Sequence, residues 1–150
     1  PGHCCFYWPE RRLLFSGDHL LPKISPNIGL HPQSGADPLT DYLASLEKIG
    51  RLDVGLVLPA HGDPFEDHRG RIASIVEHHR ERKDALVGLA GGSPRTGWEL
   101  AGSLFKGVME RNVFQQRLAL QETLAHCQSL AQEGRIKKEI GGGLVRWRAA

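Results

Sequence analysis

Cysteine is scarce in this 150-residue chain: there are three, an odd number, with Cys4 and Cys5 adjacent and no C-x-x-C pair. That pattern argues against a structural disulfide framework and makes the reducing cytoplasm the expected compartment. Cys4 and Cys5 read as small residues on a buried strand, and Cys127 as a small residue on a helix, since buried free cysteine behaves as a hydrophobe. No apolar run approaches the roughly 20 residues that cross a bilayer, so no membrane partner is expected, and no charged segment followed by an apolar one marks a signal peptide. Methionine occurs once, at Met109, and the first residue is Pro1. What is present is ordinary: 40% hydrophobic residues, as in a globular domain, and enough length for one domain or two small ones.

Charge is nearly balanced at +2 overall but unevenly placed. Residues 1–77 carry 7 Lys and Arg against 10 Asp and Glu, while residues 78–150 carry 12 against 7. A basic half can meet an anionic partner, though a solvated charged surface is the commoner reason for such a bias.

Three segments share one grammar. Leu13-Leu14-Phe15 reads as a short buried strand that Ser16-Gly17 ends, leaving Asp18 at its C-terminal tip. Pro1-Gly2-His3 precedes the strand-like Cys4-Cys5-Phe6-Tyr7-Trp8, and Leu56-Val57-Leu58-Pro59-Ala60 precedes His61-Gly62. Each histidine sits beside a glycine, where the backbone can turn tightly and approach another group. Two imidazoles and a carboxylate on one rim are the donors of a zinc, manganese or iron hydrolytic site.

In their order and wording, Pro1-Gly2-His3, Phe15-Ser16-Gly17-Asp18 and Pro59-Ala60-His61-Gly62 resemble the last three metal motifs of the metallo-beta-lactamase superfamily. Gly17-Asp18-His19-Leu20-Leu21-Pro22 and the C-terminal region are similar to the branch with a winged-helix-like tail, beside glyoxalase II and the lactamase-beta-2-type hydrolases. The resemblance implies that His3 completes one metal site, that Asp18 bridges two metals and that His61 completes the second. It implies two Zn2+ ions, with iron or manganese as the other metals this donor set suits. The family's opening H-x-H-x-D-H motif does not occur in these 150 residues; His78-His79 is adjacent, not alternating. The expectation is therefore the C-terminal portion of a longer enzyme, inactive without the N-terminal half that carries the remaining ligands.

The implied fold class is α/β (α+β): the C-terminal half of an αββα sandwich over residues 1–65, a long helix and glycine-rich hinge over 66–92, and a winged-helix-like domain over 93–150. Residue patterns supply the elements. Pro9 to Arg12 suits a hairpin connection, and Pro22 to Pro38 forms a long proline-rich loop read as a wall of the substrate pocket. Asp37 caps a helix with Pro38 at its first position, running to Gly50, and Asp53 to Leu58 is a buried strand. Pro64 to Leu89 reads as one helix with Ile72, Ile75, Val76, His79, Leu86 and Leu89 on its buried stripe, Asp63 capping its start. Thr96-Gly97-Trp98-Glu99 is a capping box opening a helix from Trp98 to Phe105. A helix from Phe114 to Glu133 buries Leu120, Leu124, Cys127, Leu130 and Ala131, and Arg135–Ile140 with Leu144–Arg148 form a hairpin across Gly141-Gly142-Gly143.

The implied activity is hydrolysis of a thioester, ester or lactone by water activated between two metals, with a small-molecule substrate as partner. His19 and His31 are the further candidates for substrate contact. His79 is expected to face the core, and His68, His78 and His126 the surface. Two alternatives share the chain: cleavage of single-stranded RNA by the same centre, and a non-catalytic nucleic-acid module. The latter would use Lys137, Lys138, Arg146 and Arg148 beside Trp147, but Gln115, Gln116, Gln121, Gln128 and Gln132 on the longest C-terminal helix leave a thin phosphate footprint.

Overall fold

Strand direction decides where the ends of this chain's segments meet. The computed structural model describes residues 3–150, so Pro1 and Gly2 of the first motif lie outside the described residues. The chain divides into two compact units, residues 1–26 with 42–78, and residues 27–41 with 79–150.

The first unit is built on a three-stranded sheet of β1 (Phe6–Trp8), β2 (Leu13–Gly17) and β3 (Leu56–Pro59), in that order. β1 runs antiparallel to β2, with Phe6 opposite Phe15 and Trp8 opposite Leu13, and β2 runs parallel to β3. Pro9–Arg11 forms a 3-10 turn between β1 and β2, closed by Arg12 at φ 54°. The Arg12 carbonyl then accepts from Gly55 N and Leu56 N at 2.7 and 3.2 Å, which sets the start of β3 beside that of β2. β3 therefore begins at Leu56, later than the expected Asp53; Asp53 instead pairs with Arg12 at 2.8 Å.

β2 is not buried throughout, as expected from its apolar run. Leu14 and Ser16 are buried while Phe15 is 44% exposed, since alternate side chains point to opposite faces of the strand and only one face is covered. Cys4 is exposed and Cys5 half-buried, so the expectation of two buried cysteines fails at Cys4. Helix α1 spans Pro38–Gly50, and its residues from Tyr42 on add Tyr42, Leu46 and Ile49 to the core of the first unit. Helix α2 spans His68–Leu89 and begins four residues later than expected. Phe65 exchanges two backbone hydrogen bonds with Val57, at 2.7 and 3.1 Å, and so cannot be helical. The capping side chain is Asp67, which accepts from Gly70 N at 2.8 Å, and not Asp63. Val76 is 42% exposed and does not belong to the buried stripe, whereas His68 is buried and not at the surface.

In the second unit Asp37 accepts from Thr40 N at 3.0 Å, the expected N-cap of α1. Helix α3 (Gly97–Leu104) opens with the expected capping box: Thr96 Oγ1 accepts from Glu99 N and the Glu99 carboxylate accepts from Thr96 N. Helix α4 (Val113–Gln132) starts on Asn112, whose side chain accepts from Gln115 N at 3.0 Å. Its second half buries polar Glu122, Thr123, His126 and Ser129 alongside Cys127 and Leu130, so it is enclosed on more than one face. His126, expected at the surface, is fully buried. Strand β4 (Arg95–Thr96) and the hairpin of β5 (Ile136–Gly141) and β6 (Leu144–Ala149) make an antiparallel sheet in the order β4-β6-β5. Gly142 and Gly143, both at positive φ, form the two-residue turn that such a twisted hairpin favours. Trp147, Leu100, Leu130, Cys127, Leu86 and Ile136 form the core of this unit. Burial pushes the Cys127 thiol up to about 12, which leaves it an inert core residue. Among the described residues no helix is long and apolar enough to cross a membrane.

Candidate metal centre

Parallel strands present their C-terminal tips at the same sheet edge, and an antiparallel neighbour brings its N-terminal start there. In the first unit this places His3 ahead of β1, Asp18 after β2 and His61 after β3 on one rim. The tips are tied directly, since Ala60 N donates to the Gly17 carbonyl at 2.9 Å. His19 N donates to Ser16 O at 3.0 Å and Ser16 Oγ donates to Leu20 O at 2.8 Å, which closes the turn that lifts Asp18 out of the strand. Gly17 stands at φ +54°, and a Cβ there would lie 2.5 Å from His3 Nε2, so only glycine leaves the space the imidazole fills.

Asp18 Oδ1 lies 3.3 Å from His61 Nε2, and both side chains are open to solvent, at 53% and 73% exposure. His3 Nε2 accepts from Asp18 N at 3.2 Å and lies 3.4 Å from the Ser16 carbonyl. Two donors bound at about 2.0–2.1 Å to one tetrahedral ion stand about 3.3 Å apart, so Asp18 and His61 already have the separation that a shared ion requires. The three rim donors do not all lie within 4.8 Å of one another; among the described residues only His79, Glu122 and His126 form such a group. By donor type the rim residues fit a divalent metal, with Asp18 and His61 3.3 Å apart and the His3 ring held against the Asp18 backbone.

Beside His61 a small cleft of about 190 Å³ is lined by Pro22, Lys23, Ile24, His61, Gly62 and Asp63. The first three residues of the proline-rich loop, Pro22, Lys23 and Ile24, thus line one side of this cleft. Asp63, read from sequence as a helix cap, is one of the lining residues instead. His19 is half-buried behind His3, the rings nearly parallel with centroids 6.3 Å apart, and meets Tyr42 edge-on at 5.1 Å. Tyr42 Oη donates to the His19 carbonyl at 3.1 Å. Burial first, then the neighbouring His3, holds the His19 imidazole below its ordinary pKa. Its Nε2 is buried with no hydrogen-bond partner among the described residues. His31 belongs to the second unit, in an exposed turn where its carbonyl accepts from Ser34 N at 3.0 Å.

Residues 1–61 match the profile described as the Metallo-beta-lactamase superfamily, and residues 84–150 that of a Metallo-beta-lactamase-like C-terminal domain. The probable metallo-hydrolase YqjP of Bacillus subtilis is 30% identical over 97% of this chain, which covers 47% of that protein. The chain belongs to the metallo-beta-lactamase superfamily. A crystal structure of a superfamily protein from Thermus thermophilus superposes on all of the chain with a TM-score of 0.86 at 36% identity, the match covering 47% of that protein. An atrochrysone carboxyl ACP thioesterase of Emericella nidulans is 27% identical over 97% of the chain and 45% of its own length. The chain spans about half the length of the superfamily relatives it matches.

Proposed function

We propose that this chain is part of a metal-dependent hydrolase acting on a small thioester, ester or lactone, with His3, Asp18 and His61 as metal ligands. The observation that carries this reading is the Asp18–His61 pair, 3.3 Å apart at the tips of two adjacent parallel strands. The kinship to a metallo-hydrolase and to a thioesterase supports the substrate class.

In this reading His61 and Asp18 would hold one ion, and His3 together with Asp18 would hold another. Zinc suits the imidazole and carboxylate donors, as do iron and manganese. Bound there, a divalent pair supplies Lewis acidity and brings the pKa of water toward neutrality. The chain's own residues do the positioning. The Gly17 turn holds the His3 ring against the Asp18 backbone, and the His19 ring, itself edge-on to Tyr42, lies behind it. Pro22 and Ile24 give the cleft an apolar wall for an acyl or alkyl group beside His61, and Lys23 and Asp63 give it polar margins.

The winged-helix-like arrangement of α3, α4 and the β5–β6 hairpin offers RNA less. Arg148 is paired with Glu139, Arg146 sits opposite Glu139 across the hairpin, and Trp147 is buried in the core. The expected outcome for the hydrolase reading is that His61→Ala and Asp18→Asn each weaken Zn2+ binding at the rim by roughly tenfold or more. Isothermal titration on the chain, with His126→Gln as a background that leaves the rim intact, measures it. Unchanged zinc affinity in both rim variants would overturn the assignment.

A further inference from the structure

The second unit holds a polar cluster that the rim does not use. His79 on α2 and Glu122 and His126 on α4 are all buried, with ligand atoms within 4.8 Å of one another. His126 Nδ1 lies 2.8 Å from the Glu122 main-chain oxygen, one turn back on the same helix. A carbonyl can only accept, so Nδ1 carries the hydrogen, and in the neutral ring Nε2 presents its lone pair toward His79 Nδ1 at 3.0 Å. An imidazole anchored through its second nitrogen on a backbone carbonyl is the arrangement that metal-ligating histidines adopt. The Glu122 carboxylate accepts from the Asn27 amide at 2.8 Å and is ion-paired with Arg82, with only 10% of its side chain exposed.

We propose that His79, Glu122 and His126 form a second divalent-cation site, independent of the rim, that takes one zinc-class ion through two imidazole nitrogens and one carboxylate oxygen. The donor set is zinc's own, and the 3.0 Å between His79 Nδ1 and His126 Nε2 is close to the about 3.3 Å that two ligands of one tetrahedral ion require. As the ion binds, the proton on His79 Nδ1 transfers to Nε2 of the same ring, so the imidazole stays neutral. Arg82 supplies the positive charge beside Glu122 when no ion is bound, its guanidinium resting over the Phe105 ring at 4.8 Å. Ion and guanidinium therefore compete for one carboxylate. The site is a structural clasp between α2 and α4 within the second unit.

Cobalt(II) is the probe, because a four-coordinate nitrogen and oxygen site gives it an intense visible absorption. The test uses the 150-residue chain carrying His3→Ala and His61→Ala, which silences the rim. We expect one equivalent of Co2+ to bind with that absorption and to raise the thermal midpoint. His79→Gln and His126→Gln should each weaken binding by roughly tenfold or more. Arg82→Gln should tighten it severalfold, since Glu122 is then buried without its counter-cation. The Arg82 arm and the Co2+-dependent midpoint of the parent chain hold even where a buried histidine variant fails to fold. Absence of the visible band and of the midpoint rise in the parent chain overturns the site, as does a folded His126→Gln chain that binds Co2+ unchanged.

Discussion

Gly17 carries two constraints at one position. Its φ of +54° lies in the left-handed region, and its missing Cβ is the space that His3 Nε2 occupies. A side chain there costs about 1–2 kcal/mol in backbone strain alone, and pushes the imidazole off the rim as well. Gly17→Ala should lower the free energy of unfolding by about that amount, read from the urea midpoint; an unshifted midpoint would mean that the turn relaxes without cost. His68 carries a different constraint. Burial first, then the neighbouring Arg69, holds its imidazole below the ordinary pKa. The unfolded ring takes up its proton near about pH 6.5 and the folded ring only at lower pH, so the unfolded state binds more protons as the pH falls through that window. Stability is therefore retained above pH about 6.5 and lost on acidification below it. Thermal midpoints between about pH 7.5 and 5.5 should fall less steeply in His68→Gln than in the parent, with His19, shifted in the same direction, supplying part of the remaining slope. An identical slope in the variant would place the acid sensitivity elsewhere.

Elements whose signals are local stand where the sequence puts them. The capping box is written in four consecutive residues, and Thr96 and Glu99 make both of its reciprocal bonds. Thr96→Ala should cost about 1 kcal/mol in the denaturant midpoint, and Thr96→Ser should restore most of it; no loss on Thr96→Ala would show that Gly97 and the β4 pairing hold the helix start unaided. The glycine turn of the β5–β6 hairpin and the Asp37 cap of α1 were legible for the same reason. What the sequence did not show depends on partners distant along the chain. The late start of α2 follows from Phe65 pairing with Val57, and the exposure of Phe15 follows from which face of β2 is covered. Apolar spacing on α4 finds the side that packs on Leu and Trp, but not the side that buries Glu122, His126 and Ser129, because polar residues do not enter that pattern.

The rim was legible because each of its donors is marked by a strand and a glycine within a few residues, and parallel pairing then brings the tips together. The helical cluster was not, since His79 and His126 are 47 residues apart and each looks like an ordinary helix residue alone. At the scale of the molecule the two proposed sites differ in what they lack. The buried cluster has three enclosed donors around one point, whereas under the proposed reading the rim would offer three donors, spread over an open edge, to two ions. Zinc closes its shell with four ligands, and a catalytic ion keeps three protein ligands with one open position. By that count the rim of this chain falls short, and the H-x-H-x-D-H motif of the superfamily is absent from these 150 residues. In a His126→Gln background, the chain by itself should therefore lose its rim zinc on desalting and leave thioesters intact. Joined to an N-terminal segment that carries the motif, it should retain about two ions, one of which His61→Ala removes. Elemental analysis with a thioester assay measures both, and sustained hydrolysis by the 150-residue chain alone would show that three donors suffice.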